Sequence, residues 1–193
     1  MGNGEWGMGN ISYLEKGTGS FMRIITERLL LRPAEEGDWR ALKGIWDSFR
    51  PSPYARFDKP HPTEEEEVRA RAARWAAVQC AAHRFYMVCL DGRVIGYVAC
   101  HERDVGVYEC GYCFDAAFHG QGYAGEALRA IINALRQEGA KSLTAGTALG
   151  NAPSVRLLKK LGFELVKTEQ VSFYKDESGN DIFFEGGVFS LAL

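Results

Sequence analysis

The segment Gly120-Gln121-Gly122-Tyr123-Ala124-Gly125 sets three glycines among six residues directly before a run with helical apolar spacing. Without side chains in the way, an anion can reach the backbone, several N–H groups converge on it, and the positive end of a helix dipole adds to them. The chemistry predicted is recognition of a phosphate-bearing ligand. Upstream, Glu109 stands in the otherwise apolar and small run Val107-Tyr108-Glu109-Cys110-Gly111-Tyr112-Cys113. A carboxylate there can act as a general base or can simply face solvent on a half-buried strand. Downstream, Asn151 and Ser154 flank Pro153 before another helical pattern, where both suit helix capping.

Other chemistries fit less well. Gly120 to Gly125 satisfies G-x-G-x-x-G, but a dinucleotide fold needs that pattern early in a parallel βαβ unit, with an acidic residue some ~20 positions on. Ser142 to Asn151 holds no carboxylate, and too little chain follows Gly125 to complete such a domain. No Gly-Lys-Ser/Thr completes a P-loop. Cys110 and Cys113 have C-x-x-C spacing, yet on a strand they face opposite ways and no second pair completes four ligands. His61, His83, His101 and His119 form no H-x-x-x-H pair and read as scattered polar or turn residues. No metal is expected.

These residues must be positioned by the elements around them. Arg23 to Pro33 reads as a strand, and Trp39, Leu42, Ile45, Trp46 and Phe49 then mark one face of a helix. Arg50 to Pro62 carries four prolines and reads as a long loop. Thr63 with Glu66 fits a capping box opening a second helix, with Glu64 to Glu67 opposite its dipole. Phe85–Leu90 and Val94–Cys100, joined by Asp91-Gly92, predict a hairpin, and Val105 to Phe114 a third strand after a return at His101 to Asp104. Ala124, Ala127, Leu128, Ile131, Ile132 and Leu135 give the clearest helix, stopped by Gly139. A strand Ser142 to Leu149, a helix Pro153 to Leu161 and two late strands, Phe163 to Tyr174 and Ile182 to Leu191, complete the order.

Composition supports one ordinary domain. The chain has 193 residues, 46 % apolar and 25 % charged, with 23 Lys and Arg against 25 Asp and Glu. A net charge of -2 offers no basic field for nucleic acid. Five cysteines in a chain this long suggest a reducing, cytoplasmic setting, and no apolar run approaches the ~20 residues of a membrane span. Residues 1–21, rich in glycine and without periodicity, read as a disordered extension or a misplaced start; residues 22–193 read as the domain.

The order strand, helices, meander, H-G-Q-G-Y-A-G-E-A, strand, N-A-P-S-V-R-L-L-K-K-L-G-F resembles the GNAT superfamily of acetyl-CoA-dependent N-acetyltransferases. T-E-R-L-L-L-R-P and V-Y-E-C-G-Y-C-F resemble the branch containing the ribosomal-protein Ser/Ala N-acetyltransferases. The resemblance implies a mixed α/β (α+β) domain: a twisted, mostly antiparallel sheet of about seven strands flanked by about four helices. It implies that the amides of His119, Gly120, Gln121, Gly122, Tyr123, Ala124 and Gly125, following Phe114, hold the pyrophosphate of coenzyme A. Asn151 and Ser154 would then reach the pantetheine arm, Glu109 would be the general base, and Ser154 would stand near the leaving sulfur. A tyrosine common in the superfamily is replaced by Leu158.

The expected reaction is direct acetyl transfer from acetyl-CoA to a primary amine, a protein N-terminus or a small molecule, by a monomer or homodimer. A non-enzymatic acyl-CoA-binding or regulatory module of the same fold would keep the glycine turn and Asn151 without needing Glu109; a nucleotide-binding oxidoreductase is the remoter rival. The acceptor pocket is expected between the Arg50 to Pro62 loop, with Tyr54 and Phe57, and the late hairpin around Phe173, Tyr174, Asp176, Glu177 and Asp181, whose carboxylates could steer a cationic amine.

Overall fold

The computed structural model describes Ser12–Leu14 and residues 23–193. The expectation for residues 1–21 otherwise lies outside the described residues. Ser12–Leu14 forms β1, paired with β2 (Arg23–Ile25). Arg23 to Pro33 is not one strand: the Thr26 N–H donates to the Leu29 carbonyl at 2.9 Å and its Oγ1 accepts from the Leu29 N–H at 3.0 Å. This local turn competes with extension and folds the run into a hairpin of β2 and β3 (Leu29–Pro33).

Helix α1 (Trp39–Phe49) follows, and the proline-rich segment after it is a loop carrying a short 3₁₀ turn at Ala55–Phe57, which the prolines flank rather than interrupt. Helix α2 (Glu65–Val78) starts without the capping box expected from Thr63, because Glu64 is the N-cap and the Thr63 hydroxyl donates to the Glu64 carboxylate instead. Glu65, Glu66 and Glu67 do occupy the first turn, opposite the dipole.

Strands β4 (His83–Leu90) and β5 (Arg93–Asp104) turn at Asp91 and Gly92, whose φ of 48° and 81° give the primed turn that matches strand twist. β5 runs through His101 to Asp104, and the return to β6 (Val107–Phe114) comes later, at Val105-Gly106, where Gly106 takes a φ of 74°. Helix α3 (Tyr123–Gln137), β7 (Ser142–Ala148), α4 (Ala152–Lys160), β8 (Glu164–Lys175) and β9 (Asp181–Ala192) complete the chain.

Among the described residues the sheet runs β1-β2-β3-β4-β5-β6-β7-β9-β8 and counts nine strands, more than the expected seven because of β1 and the split first run. Every neighbouring pair is antiparallel except β6 with β7. On one face α3 and α4 set Leu128, Ile131, Leu135 and Leu158 against Val88, Val98, Cys110 and Leu143. On the other, α1 and α2 set Leu42, Trp46, Val68 and Trp75 against Phe85, Met87, Tyr97 and Cys113. Cys110 and Cys113 therefore belong to opposite cores, as strand alternation requires. No helix among the described residues is long and apolar enough to cross a membrane.

Candidate active site

The parallel pair opens. Val107 to Cys110 lie beside Ser142 to Ala145, but among the described residues Gly111 to Phe114 and Gly146 to Ala148 have no strand partner across that edge. At the parting point both strands carry glycine, and open space lies where a side chain of Gly111 or Gly146 would project. Tyr108, Cys110 and Phe114 belong to the α3 core, as do Leu143 and Ala145, so Glu109, Gly111, Thr144 and Gly146 share the α1–α2 face. The result is a V-shaped gap with a cleared slot on one face. Helices α3 and α4 start just beyond the ends of the two parting strands, so both positive dipole ends belong to the mouth of the V.

The phosphate turn lies at that mouth. Asp115 accepts from the Ala117 N–H at 3.0 Å, and the His119 Nε2–H donates to the Phe114 carbonyl at 2.9 Å, fixing the bend out of β6. Phe114 itself is buried under α3. Gln121 Nε2 donates to the Ala117 carbonyl at 3.0 Å. Gly120 (φ 74°) and Gly122 (φ 85°) are left-handed, a region costly for other residues, and Gly122 is the N-cap before Tyr123 and Ala124. Gly125 faces α4, where a Cβ would stand 3.5 Å from Leu157, in ordinary contact.

Glu109 sits half exposed on β6, directly opposite His101 of β5 and Thr144 of β7, and its carboxylate pairs with Arg103 at 2.6 Å. His101 meets His83 across the strands, Nδ1 to Nδ1 at 3.3 Å, so two of the four histidines are neighbours rather than scattered. Burial pushes the His101 pKa down, helped by the charges of His83 and Arg103. Asn151 caps α4, its Oδ1 accepting from the Ser154 N–H at 3.4 Å. Ser154 Oγ lies 2.7 Å from the Tyr112 hydroxyl, tying α4 to the parted end of β6. Burial pushes the Tyr112 phenol up to about 12 against the opposing pull of that hydrogen bond.

The proline-rich loop and the late hairpin do meet. Phe57 packs edge-on against Phe184 at 5.4 Å and fills the space beside Gly150, while the Tyr174 hydroxyl reaches the Ala55 carbonyl at 3.5 Å. A cavity of about 250 Å³ opens there, lined by Trp46, Phe49, Asp58, His61 and Tyr174 among others. Tyr54 and Phe57 are outside its lining; Tyr54 shapes the loop, its N–H donating to Ser52 Oγ at 3.2 Å. His61 stacks on Trp46 at 4.8 Å and stands 3.1 Å from the Asp58 carboxylate. Burial, and then the Asp58 charge, push the Cys113 thiol up to about 12, which links this cavity to β6. The hairpin tip is spent on its own turn: Asp176 accepts from Ser178 and Asn180, both at 2.9 Å, and Asp181 pairs with Lys175 at 3.6 Å.

Sequence reasoning passed over Tyr112, Asp58 and Trp46. Tyr112 shares the strand parity of Tyr108 and Cys110, which marks its face, but its partner Ser154 is 42 residues away and no spacing announces it. Among the described residues, no group of three or more His, Cys, Asp or Glu side chains is disposed to hold a metal ion.

Residues 28–164 match the acetyltransferase (GNAT) domain family. The uncharacterized N-acetyltransferase YnaD of Bacillus subtilis is 28 % identical over 147 residues, covering 73 % of this chain and 82 % of its own. The L-amino acid N-acetyltransferase AaaT of Escherichia coli is 28 % identical over 149 residues, covering 72 % of this chain and 85 % of its own. Among solved structures, RimL, a ribosomal L7/L12 alpha-N-protein acetyltransferase, superposes with a TM-score of 0.76 at 18 % identity, covering 94 % of this chain and all of the other. The opened parallel pair, the glycine turn at its mouth and these matches agree: the chain belongs to the GNAT family of acetyltransferases, which draw their acetyl group from acetyl-CoA.

Proposed function

We propose that this protein moves the acetyl group of acetyl-CoA directly to a primary amine in a ternary complex. The observation that carries this reading is the glycine-floored slot at Gly111 and Gly146, with Glu109 one pair back along the same face. Two residues of strand span roughly 7 Å, which at roughly 2.8 Å per hydrogen bond is covered by a chain of two waters between the Glu109 carboxylate and an amine over Gly111. Pyrophosphate would rest on the amides from Gly120 to Gly125, and the free edges of the parted strands offer donors and acceptors to the amides of a pantetheine arm.

Glu109, through water, takes a proton from the ammonium, and the free amine attacks the thioester carbonyl carbon. The zwitterionic tetrahedral adduct gives up its ammonium proton to solvent and collapses with loss of the C–S bond, leaving a neutral N-acetyl product and a thiolate. Tyr112 with Ser154 steadies that thiolate by hydrogen bonding. A phenol held at about 12 is too weak an acid to surrender its proton to a thiolate whose thiol has an ordinary pKa, so solvent completes the protonation. The acceptor enters through the cavity of Trp46, Asp58, His61 and Tyr174, where the aromatic walls and the Asp58 carboxylate receive the amine beside Arg50 and Lys59, which also line it. Five free cysteines fit a reducing, cytoplasmic setting.

The test is an acceptor screen on purified protein, reading thiol release from acetyl-CoA with amino acids, N-terminal peptides, polyamines and aminoglycosides. Amine-dependent release supports the enzyme. CoA binding with no release against any amine would make the protein a binding module instead.

A further inference from the structure

The Thr26-Glu27-Arg28 turn between β2 and β3 lies nearly a hundred residues from the phosphate turn in sequence, yet it is fastened to it. Glu126, in the first turn of α3, accepts from the Thr26 hydroxyl at 2.6 Å, the Arg28 backbone N–H at 2.9 Å and Arg28 Nε at 2.7 Å. The remaining guanidinium nitrogens reach the same carboxylate at 2.7 Å and the Gln121 carbonyl at 3.2 Å, and the group lies 4.5 Å over the Tyr123 ring. A Cβ at Gly122 would stand 3.4 Å from it. Gln121, Gly122, Tyr123 and Glu126, which the Arg28 guanidinium meets, thus lie in or directly after the anion-binding segment.

Two consequences follow from charge and donor count. A carboxylate at Glu126 suits the helix dipole but would repel a diphosphate; burial opposes its ionisation, while the Thr26 and Arg28 hydrogen bonds outweigh that and hold its pKa below the usual range. Arg28 cancels that negative charge at its source. A guanidinium has five N–H donors, and three are engaged here among the described residues, so two are available beside the turn. The side chain is 42 % exposed, within reach of a ligand.

We infer that Arg28 is a third element of the diphosphate site: a positioning residue that locks the Gln121–Tyr123 backbone and neutralises the Glu126 carboxylate that would otherwise repel the diphosphate. The inference rests on the acetyl-CoA reading above and goes beyond it by assigning a cofactor role to the β2–β3 turn.

Calorimetry with CoA, and with pantetheine at millimolar concentration, separates this from a purely structural role, since pantetheine carries no diphosphate. Arg28→Gln should weaken CoA about tenfold or more and flatten the salt dependence of its Kd, with pantetheine affinity unchanged. Arg28→Lys, which keeps the charge and loses the fork, should recover part of the loss. Wild-type CoA affinity in folded Arg28→Gln, or equal losses for both ligands, would overturn the assignment. Wild-type protein that binds neither ligand would overturn the acetyl-CoA reading itself.

Discussion

Tyr112 on β6 and Ser154 on α4 share a 2.7 Å hydrogen bond that spans the side of the gap facing α3 and α4. A hydrogen bond to a charged group contributes roughly 1.5–3 kcal/mol, or about 10–10²-fold in rate when the charge forms in the transition state. Tyr112→Phe should therefore lower kcat by about that factor with little change in acetyl-CoA affinity. Ser154→Ala should cost less, because the phenol stays in place. Because burial raises the Tyr112 pKa to about 12, the phenol remains protonated through neutral and mildly alkaline pH and should add no basic limb to the rate below about that value. Steady-state kinetics with both variants decide this.

Glu109→Gln should reduce kcat by about 10²-fold or more, within the range of general-base contributions, and leave CoA binding unchanged. Arg103→Ala, which removes the 2.6 Å partner of that carboxylate, should change kcat without changing CoA affinity. Turnover at wild-type level in Glu109→Gln, with chemistry shown to limit the rate, would return Glu109 to a solvated strand position.

Gly111→Val should close the slot. Nothing lies within 4 Å of a Cβ there and a β-branched residue suits a strand, so the melting temperature should hold while activity falls sharply. Gly122→Val is the less clean test, since its φ of 85° strains the backbone as well as blocking the turn.

Asp58→Asn should raise the acceptor KM without altering the acetyl-CoA KM, as expected for lost acceptor binding alone. Tyr54→Ala and Phe57→Ala, residues outside the cavity lining, should show smaller acceptor effects, Phe57 mainly through its Phe184 contact.

Alkaline pH should destabilise the fold. Burial is the leading cause that pushes the Cys100 and Cys113 thiols up from 9.0 to about 12 and the Tyr112 phenol from 10.0 to about 12. Each raised group favours folding in its neutral form, so its contribution is complete below the unfolded value and is lost as pH climbs through the folded one. Melting temperatures should fall progressively between about pH 9 and pH 12, and Cys100→Ala should flatten that fall.

Much of this architecture was legible because periodicity and turn chemistry are local. Asp91-Gly92 announced its hairpin, and the spacing from Ala124 to Leu135 announced α3. Thr26 misled because an apolar run on both sides masked a single hydroxyl that turns the chain. Thr63 misled by one position, since nothing in the spacing told whether it or Glu64 would take the N-cap. The glycine turn could be read outright, while the Arg28–Glu126 and Tyr112–Ser154 pairs could not: each joins residues far apart in sequence, and only the folded sheet makes them neighbours.

The parallel stretch from Val107 to Cys110 with Ser142 to Ala145 has a mechanical meaning as well. On one side β1 to β6 form a continuous antiparallel sheet, and on the other β7, β9 and β8 form another. A short ladder joins them, and its two strands can meet only after the whole of α3 has crossed over. The seam, four residue pairs long, is the ladder that holds one antiparallel block to the other, so stress pulling the two blocks apart would act on it first. A ligand lying in the opening touches both edges of that seam, so substrate binding and mechanical reinforcement of the domain become one event.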